Sequence, residues 1–183
     1  MIQALMALKR NSPEVVEHKY EPIESGGVKV NIRKAVLADI EEIYDLVNYY
    51  AEKELVLPRS RHSIFETLRD FTVAEKDGAL IGTGALTLAW DGLAEVRALT
   101  VSPKNLRSGV GRQIVSAIMA EAGQLGVSRL FVLTYHPEFF TESGFREISK
   151  EELPHKVWRD CINCSKFPNC DEKAMILELN RGG

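Results

Sequence analysis

A chain of 183 residues with 45% hydrophobic and 27% charged residues has an ordinary globular composition, which excludes a disordered tail, a collagen-like repeat and a membrane bundle. Its 23 Lys and Arg against 26 Asp and Glu leave a formal charge of -3, the wrong sign for a protein that neutralises many phosphates along a nucleic acid. No apolar run approaches the roughly 20 residues that span a bilayer. Met1–Leu8 precedes Lys9-Arg10 in the reverse order of a secretory signal, so the cytoplasm is the expected location and neither a membrane nor a nucleic acid is an expected partner.

Residues 1 to about 27 show no sustained periodicity, hold Pro13 and Pro22, and close on Ser25-Gly26-Gly27. They read as an extension that packs on the domain or on a neighbouring copy, a homodimer being one such arrangement. From residue 28 to 183 the pattern is that of one α+β domain. Val28, Val30 and Ile32 alternate with polar residues as in a half-buried strand. Asp39 then stands where a helix cap belongs, ahead of Ile40, Ile43, Val47 and Tyr50 at helical spacing. A short helix is predicted over Ser63–Arg69 with Ile64, Phe65 and Leu68 inward. Phe71–Glu75 and Leu80–Ala89 flank Asp77-Gly78, a tight-hairpin signal, and Asp91-Gly92 makes a second turn before Ala94–Val101.

Val110, Ile114, Val115, Ile118, Met119 and Ala122 mark a strong amphipathic helix that crosses over to a strand at Arg129–Thr134. A short helix over Phe139–Ser143, a strand entered at Gly144-Phe145, a Cys-containing insertion at 151–173 and a closing strand at Met175–Leu179 complete the chain. The sheet is expected to be mixed, mostly antiparallel and flanked by helices.

The stretch between the last hairpin strand and the amphipathic helix carries the chemistry. Ser102-Pro103 leads into Lys104-Asn105-Leu106-Arg107-Ser108-Gly109-Val110-Gly111-Arg112. Glycines at a strand-to-helix junction let a ligand approach the backbone, and a helix N-terminus leaves several N–H groups for an anion. Lys104, Arg107 and Arg112 add local positive charge to an acidic chain. A pyrophosphate cradle is the functional reading; a glycine-eased tight turn is the plain one. The dinucleotide-binding GxGxxG pattern is excluded, because no third glycine follows.

From Glu95-Val96-Arg97-Ala98-Leu99-Thr100-Val101-Ser102-Pro103 through Gly109-Val110-Gly111, the chain resembles the acetyl-CoA-binding core of the GNAT acyltransferases. Residues 129–145, ending Ser143-Gly144-Phe145, resemble the second half of that core, and the similarity runs from about Val30 to about Leu179. Leu55–Arg61, Asp70-Phe71-Thr72 and Leu130–Thr134 further resemble the acetyltransferase domain of bacterial N-acetylglutamate synthases. The kinase-like domain that usually precedes it does not occur in these residues, so a short, free-standing form is expected.

The resemblance implies the GNAT fold, acetyl-CoA as cosubstrate and acetyl transfer to the α-amine of an amino acid, with L-glutamate favoured, as at the head of arginine biosynthesis. It implies that backbone groups of Leu99, Thr100 and Val101 hold the pantetheine as an added strand. Amides of Arg107, Ser108, Gly109, Val110, Gly111 and Arg112 would face the pyrophosphate. Glu95 matches the family's acidic residue and is the expected general base, pairing with Arg97 being the alternative. A base is needed because an α-ammonium must lose a proton before it attacks. Arg59 matches the synthase position that holds the substrate carboxylate, a task that suits a guanidinium fork, with Arg61 and Arg97 as secondary candidates.

Three positions depart from the family. Leu106 replaces an Arg or Gln, and Phe140 occupies the place of the common general-acid Tyr. Thr134-Tyr135-His136-Pro137 lacks the Arg and Ser that the synthases carry there. Tyr135 is therefore the candidate proton donor to the thiolate, with His136 or solvent as substitutes and a plain packing aromatic as the other reading of Tyr135. The rivals to glutamate acetylation are a GNAT enzyme for another small amine or a protein N-terminus, and a non-catalytic acyl-CoA-binding or metal-sensing module.

His155, Cys161, Cys164 and Cys170 offer four ligands within sixteen residues, enough for a tetrahedral structural zinc. The other reading is a packed insertion with reduced thiols, since free Cys behaves as a small hydrophobe.

Overall fold

The computed structural model describes residues 30–153 and 169–179. The first strand, β1 (Asn31–Lys34), leads through a single 3-10 turn, Leu37–Asp39, into α1 (Ile40–Ala51), and the predicted strand start at Val28 lies outside the described residues. Asp39 holds the N-cap position of α1, as expected, but its side chain makes no capping bond to the helix. Its carboxylate accepts hydrogen bonds from both terminal nitrogens of Arg33 (2.7 and 2.9 Å) and from the Val36 amide (2.8 Å). The second helix is shorter than predicted: α2 (Arg61–Glu66) starts at a Ser60 whose hydroxyl accepts from the Ser63 amide, and a 3-10 turn over Leu68–Asp70 follows. Ile64 and Leu68 are buried, but Phe65 is 55% exposed, because the helix breaks before a full inward stripe forms.

β2 (Phe71–Lys76), β3 (Ala79–Trp90) and β4 (Leu93–Val101) form the antiparallel meander that the two Asp-Gly pairs announce. Asp77 and Gly78 both take positive φ (52° and 78°), the backbone hand that matches strand twist in a two-residue hairpin. α3 (Val110–Gln124) then crosses to β5 (Arg129–Thr134), which lies parallel to β4. α4 (Pro137–Thr141), β6 (Arg146–Ile148) and β7 (Lys173–Glu178) complete a seven-stranded sheet of order β1-β2-β3-β4-β5-β7-β6.

Both faces of the sheet are covered. Val110, Ile114, Val115, Ile118 and Ala122 of α3 pack on Leu86, Val96, Leu130 and Val132. The helix comes unusually close to β3: a Cβ built on Gly82 or Gly84 would stand 2.9 Å from an Ile114 methyl. These two glycines are the seat that fixes α3, and through it the loop ahead of α3, against the sheet. On the opposite face Ile43, Val47 and Ile64 of α1 and α2 cover Phe71, Val73 and Ala85. A third cluster, with Leu93, Phe131, Ile148 and Ile176, fills the far end. This is the mixed, mostly antiparallel α+β sheet flanked by helices that the sequence leads one to expect.

Candidate active site

The opening of the site is a defect in the sheet. β4 and β5 pair only at Leu93–Arg129, Ala94–Leu130 and Glu95–Phe131, so beyond Glu95 the two parallel strands diverge. On its other edge β4 slips register with β3 between Arg97 and Thr100, where Ala98 takes φ 48°. An extra residue of this kind bends a strand and sharpens its twist. Thr100 faces Thr83, and the Ser102 amide donates to the Ile81 carbonyl at 2.8 Å. By antiparallel alternation the N–H and C=O of Val101 therefore point away from β3, into the gap.

The loop after β4 completes the opening. Pro103–Asn105 forms a 3-10 turn; Asn105 Nδ2 donates to Ser102 Oγ (2.7 Å) and Ser108 Oγ donates to the Asn105 carbonyl (2.6 Å). Arg107 (φ 60°) and Gly109 (φ 86°) are both left-handed, and Gly109 is the N-cap of α3. A glycine cap has no side chain to satisfy the first turn, so the leading amides of the helix remain available to an anion. The resulting cleft, about 380 Å³, is lined by Val101, Asn105, Leu106, Arg107, Gly109 and Val110, with Gly111, Arg112 and Phe139 beyond them. Arg112 pairs with Glu142, the residue that follows α4. The donors and the left-handed turns suit the pyrophosphate and arm of a CoA molecule, and Leu106, which is 56% exposed, forms part of the cleft wall.

A second group of polar residues lies on the face covered by α1 and α2. Arg97 stands opposite Ala85, a member of the core beneath those helices, and Glu95 stands opposite Thr87. Glu95 and Arg97 form an ion pair at 3.3 Å with side chains only 15% and 14% exposed. Arg59, in the segment between α1 and α2, is half-buried. The Asn48 side chain holds its backbone, accepting from its amide (3.2 Å) and donating to its carbonyl (2.9 Å). Its guanidinium lies 3.4 Å from Ser63 Oγ. Asp70 follows on the same side, accepting from Thr87 Oγ1 at 3.2 Å. Burial raises the Asp70 carboxyl above the usual carboxylate range, while Thr87 and the positive charges of Lys34 and Arg59 pull the other way.

The structure thus brings Glu95 and Arg97 together and places Arg59 on their face. Arg61 is engaged elsewhere: its guanidinium donates to both Glu41 oxygens (2.8–2.9 Å) and stacks 3.8 Å over the Tyr44 ring. Tyr135 is half-buried at the end of β5, and His136 beside it is exposed and near Glu138 (3.5 Å). Phe140 is a core residue, edge-on to Phe139 and Phe145. Of the expected metal ligands, His155, Cys161 and Cys164 lie outside the described residues. The Cys170 thiol lies 3.4 Å from Glu172, and burial raises it above its usual value. Among the described residues, no three His, Cys, Asp or Glu cluster as a metal site.

Sequence reasoning did not single out Asn48, Phe139 or Tyr50 for the site. In the sequence Tyr50 is only an apolar position of α1, yet its hydroxyl donates to the Val101 carbonyl at 2.6 Å.

Residues 37–145 match the model of the acetyltransferase (GNAT) family. The chain is 41% identical over 81% of its length to an uncharacterized N-acetyltransferase of Chlorobaculum tepidum, spanning 96% of that protein. The chain belongs to the GNAT family of acetyltransferases. It is also 37% identical, over 69% of its length and 74% of the relative's, to an amino-acid acetyltransferase of Mycobacterium tuberculosis. A solved N-acetylglutamate synthase of Neisseria gonorrhoeae, in complex with coenzyme A and N-acetyl-glutamate, superimposes with a TM-score of 0.77 at 32% identity. That match covers 84% of this chain but only 36% of the synthase.

Proposed function

We propose that this protein transfers the acetyl group of acetyl-CoA to the α-amine of an amino acid, with L-glutamate as the first candidate. The observation that carries this reading is the pairing of two half-sites on one strand. β4 gives its open edge and following loop to the cleft, and its Glu95–Arg97 pair to the face where Arg59 stands. The relatives named as amino-acid acetyltransferases, and the synthase solved with N-acetyl-glutamate, support the same substrate class.

The chain's own residues then divide the work. The outward N–H and C=O of Val101 lie along the pantetheine, with Leu99 and Thr100 on the strand beside it and the main-chain groups of Thr100 turned to β3, and amides from Arg107 to Arg112 meet the pyrophosphate. Arg59 binds the substrate carboxylate. Glu95, oriented by Arg97, accepts the proton that the ammonium must lose, directly or through a water. The freed amine attacks the thioester carbonyl, the C–S bond breaks, and the departing thiolate takes a proton from Tyr135 or from solvent. Holding both reactants against one strand supplies orientation, which is a large share of the acceleration in such transfers. We take residues 28–183 as the catalytic domain, residues 1–27 as an extension and the cytoplasm as the place of action.

One observation favours a different amine. The segment Thr134–Pro137 offers neither the Arg nor the Ser expected in a glutamate site, so a smaller or neutral amino acid is the second reading. Thiol release from acetyl-CoA, followed against a panel of amino acids, small amines and N-terminal peptides, decides between them. Glutamate should give the highest kcat/KM. Turnover of another amine with indifference to glutamate would overturn the specific assignment, and no turnover with any amine would overturn the enzymatic one.

A further inference from the structure

We propose that the Tyr50 hydroxyl is a binding group for the pantetheine arm, an inference that rests on the acetyl-CoA reading of the cleft. Tyr50 is in the last turn of α1, far from the cofactor loop in sequence, and its hydroxyl reaches the Val101 carbonyl, 51 residues away, at 2.6 Å. That carbonyl lies on the edge of β4 turned away from β3, where β5 has already diverged. Val101 also lines the cleft. Tyr50 itself is not among the cleft-lining residues, but its hydroxyl sits on the Val101 carbonyl, at the edge along which an extended arm must run.

The hydrogen-bonding inventory gives the phenol a specific task. A carbonyl oxygen has two lone pairs, and Tyr50 uses one at Val101, leaving the second for a ligand. A phenol that donates its proton to the protein keeps its own oxygen lone pairs as acceptors. Beside the outward Val101 N–H, the edge thus offers a donor and two acceptors within one residue's length. The pantetheine arm is a chain of secondary amides, each with an N–H and a C=O, and is the ligand chemistry that such an alternation fits. The half-buried ring is braced edge-on by Tyr49, with centroids 5.0 Å apart, so the hydroxyl is fixed before any ligand arrives. Desolvation holds its ionisation above the ordinary phenol range, so the phenol keeps the proton that it donates to the Val101 carbonyl.

The test is Tyr50→Phe, which keeps the ring and removes the oxygen. Calorimetry should be run with CoA and with adenosine 3′-phosphate 5′-diphosphate, the head group without the arm. Loss of a single hydrogen bond should weaken CoA roughly fivefold to tenfold. The head group should bind within about twofold of native, and in steady state the KM for acetyl-CoA should rise while the KM for the amine holds. CoA affinity within about twofold of native would overturn the proposal. So would equal weakening of CoA and head group, because Tyr50 would then act only by propping β4. Native protein that ignores CoA altogether would refute the cofactor reading and this subsite with it, whereas native binding with an unaffected variant refutes Tyr50 alone.

Discussion

The seat of α3 on β3 can be tested by adding one methyl group. In Gly82→Ala the new Cβ would stand 2.9 Å from Ile114 Cδ1, 3.1 Å from Val110 Cγ1 and 3.2 Å from the Thr100 carbonyl oxygen. Two of these neighbours are core side chains of α3 and the third is backbone of β4, so the helix must move outward or the side chains must leave their rotamers. Over-packing of this kind costs about 1–3 kcal/mol. Val110 is the first residue of α3, immediately after its Gly109 cap, so an outward shift also moves the amides that face the cleft. Ile114→Val removes the Cδ1 atom that makes the tightest contact, and alone it should cost about 0.5–1.5 kcal/mol for the lost methyl. In the double variant the two losses should fall short of additivity by about 1 kcal/mol, with Val110 and the Thr100 carbonyl still crowding the new methyl. Urea unfolding gives the four free energies of the cycle, and CoA titration gives the matching affinities. Strict additivity in stability, or a Gly82→Ala variant that loses stability without weakening CoA, would refute the claim that this contact positions the cleft.

Arg59→Ala should raise the KM for the amino acid by roughly tenfold to a hundredfold, the loss of a charge-assisted contact, while the KM for acetyl-CoA stays within about threefold; equal effects on both would remove Arg59 from the amine site. Thr100 Oγ1 is buried and has no hydrogen-bond partner among the described residues. Thr100→Val should therefore be neutral or stabilising by up to about 1 kcal/mol in thermal melts, and a clear loss of stability would mean that the hydroxyl is satisfied. Asp39 is 5% exposed, and its hydrogen bonds from Arg33 hold its carboxyl below the usual carboxylate range. A depressed carboxylate contributes stability above its unfolded value, about 3.9, that is lost as pH falls through the lower folded value. Arg33→Met should cost about 1–3 kcal/mol at pH 7, since the Arg33 side chain is 30% exposed and partly screened. The gap to native protein should close below about pH 4 in urea melts; a gap independent of pH would mean that packing, not charge, is what Arg33 supplies.

The parts of the fold that were legible are those that short-range chemistry dictates. Asp77-Gly78 and Asp91-Gly92 are turns for local reasons, and the apolar stripe of α3 follows from spacing alone. The Arg129–Thr134 strand matches its predicted bounds. Errors arose where a side chain found a better partner elsewhere. Asp39 has the residue type and place of a cap, but a guanidinium on β1 binds a carboxylate more strongly than the amides of a helix start do. Phe65 falls on the inward side of a helical period that α2 is too short to sustain, and it is exposed. The insertion of β7 between β5 and β6 is a long-range pairing that no local pattern encodes.

The candidate site divides along the same line. Its cleft was legible because a glycine-containing strand-to-helix loop is a contiguous piece of chain, whose backbone makes the binding surface whatever most of its side chains are. The amine face was legible only through family resemblance, since Arg59, Glu95 and Arg97 share it by virtue of the β3–β4 register and the packing of α1 and α2. What neither route supplied is the geometry at the boundary between the two. The slip at Ala98 leaves Arg97 facing α1 and α2 while it turns the polar edge of Val101 into the gap, and the nearby phenol from α1 was invisible until the helix was docked. A one-residue bulge thus lets a single strand present a charged side-chain face to one ligand and a main-chain edge to another, and it is this division that makes β4 suited to join an amine to an acyl carrier.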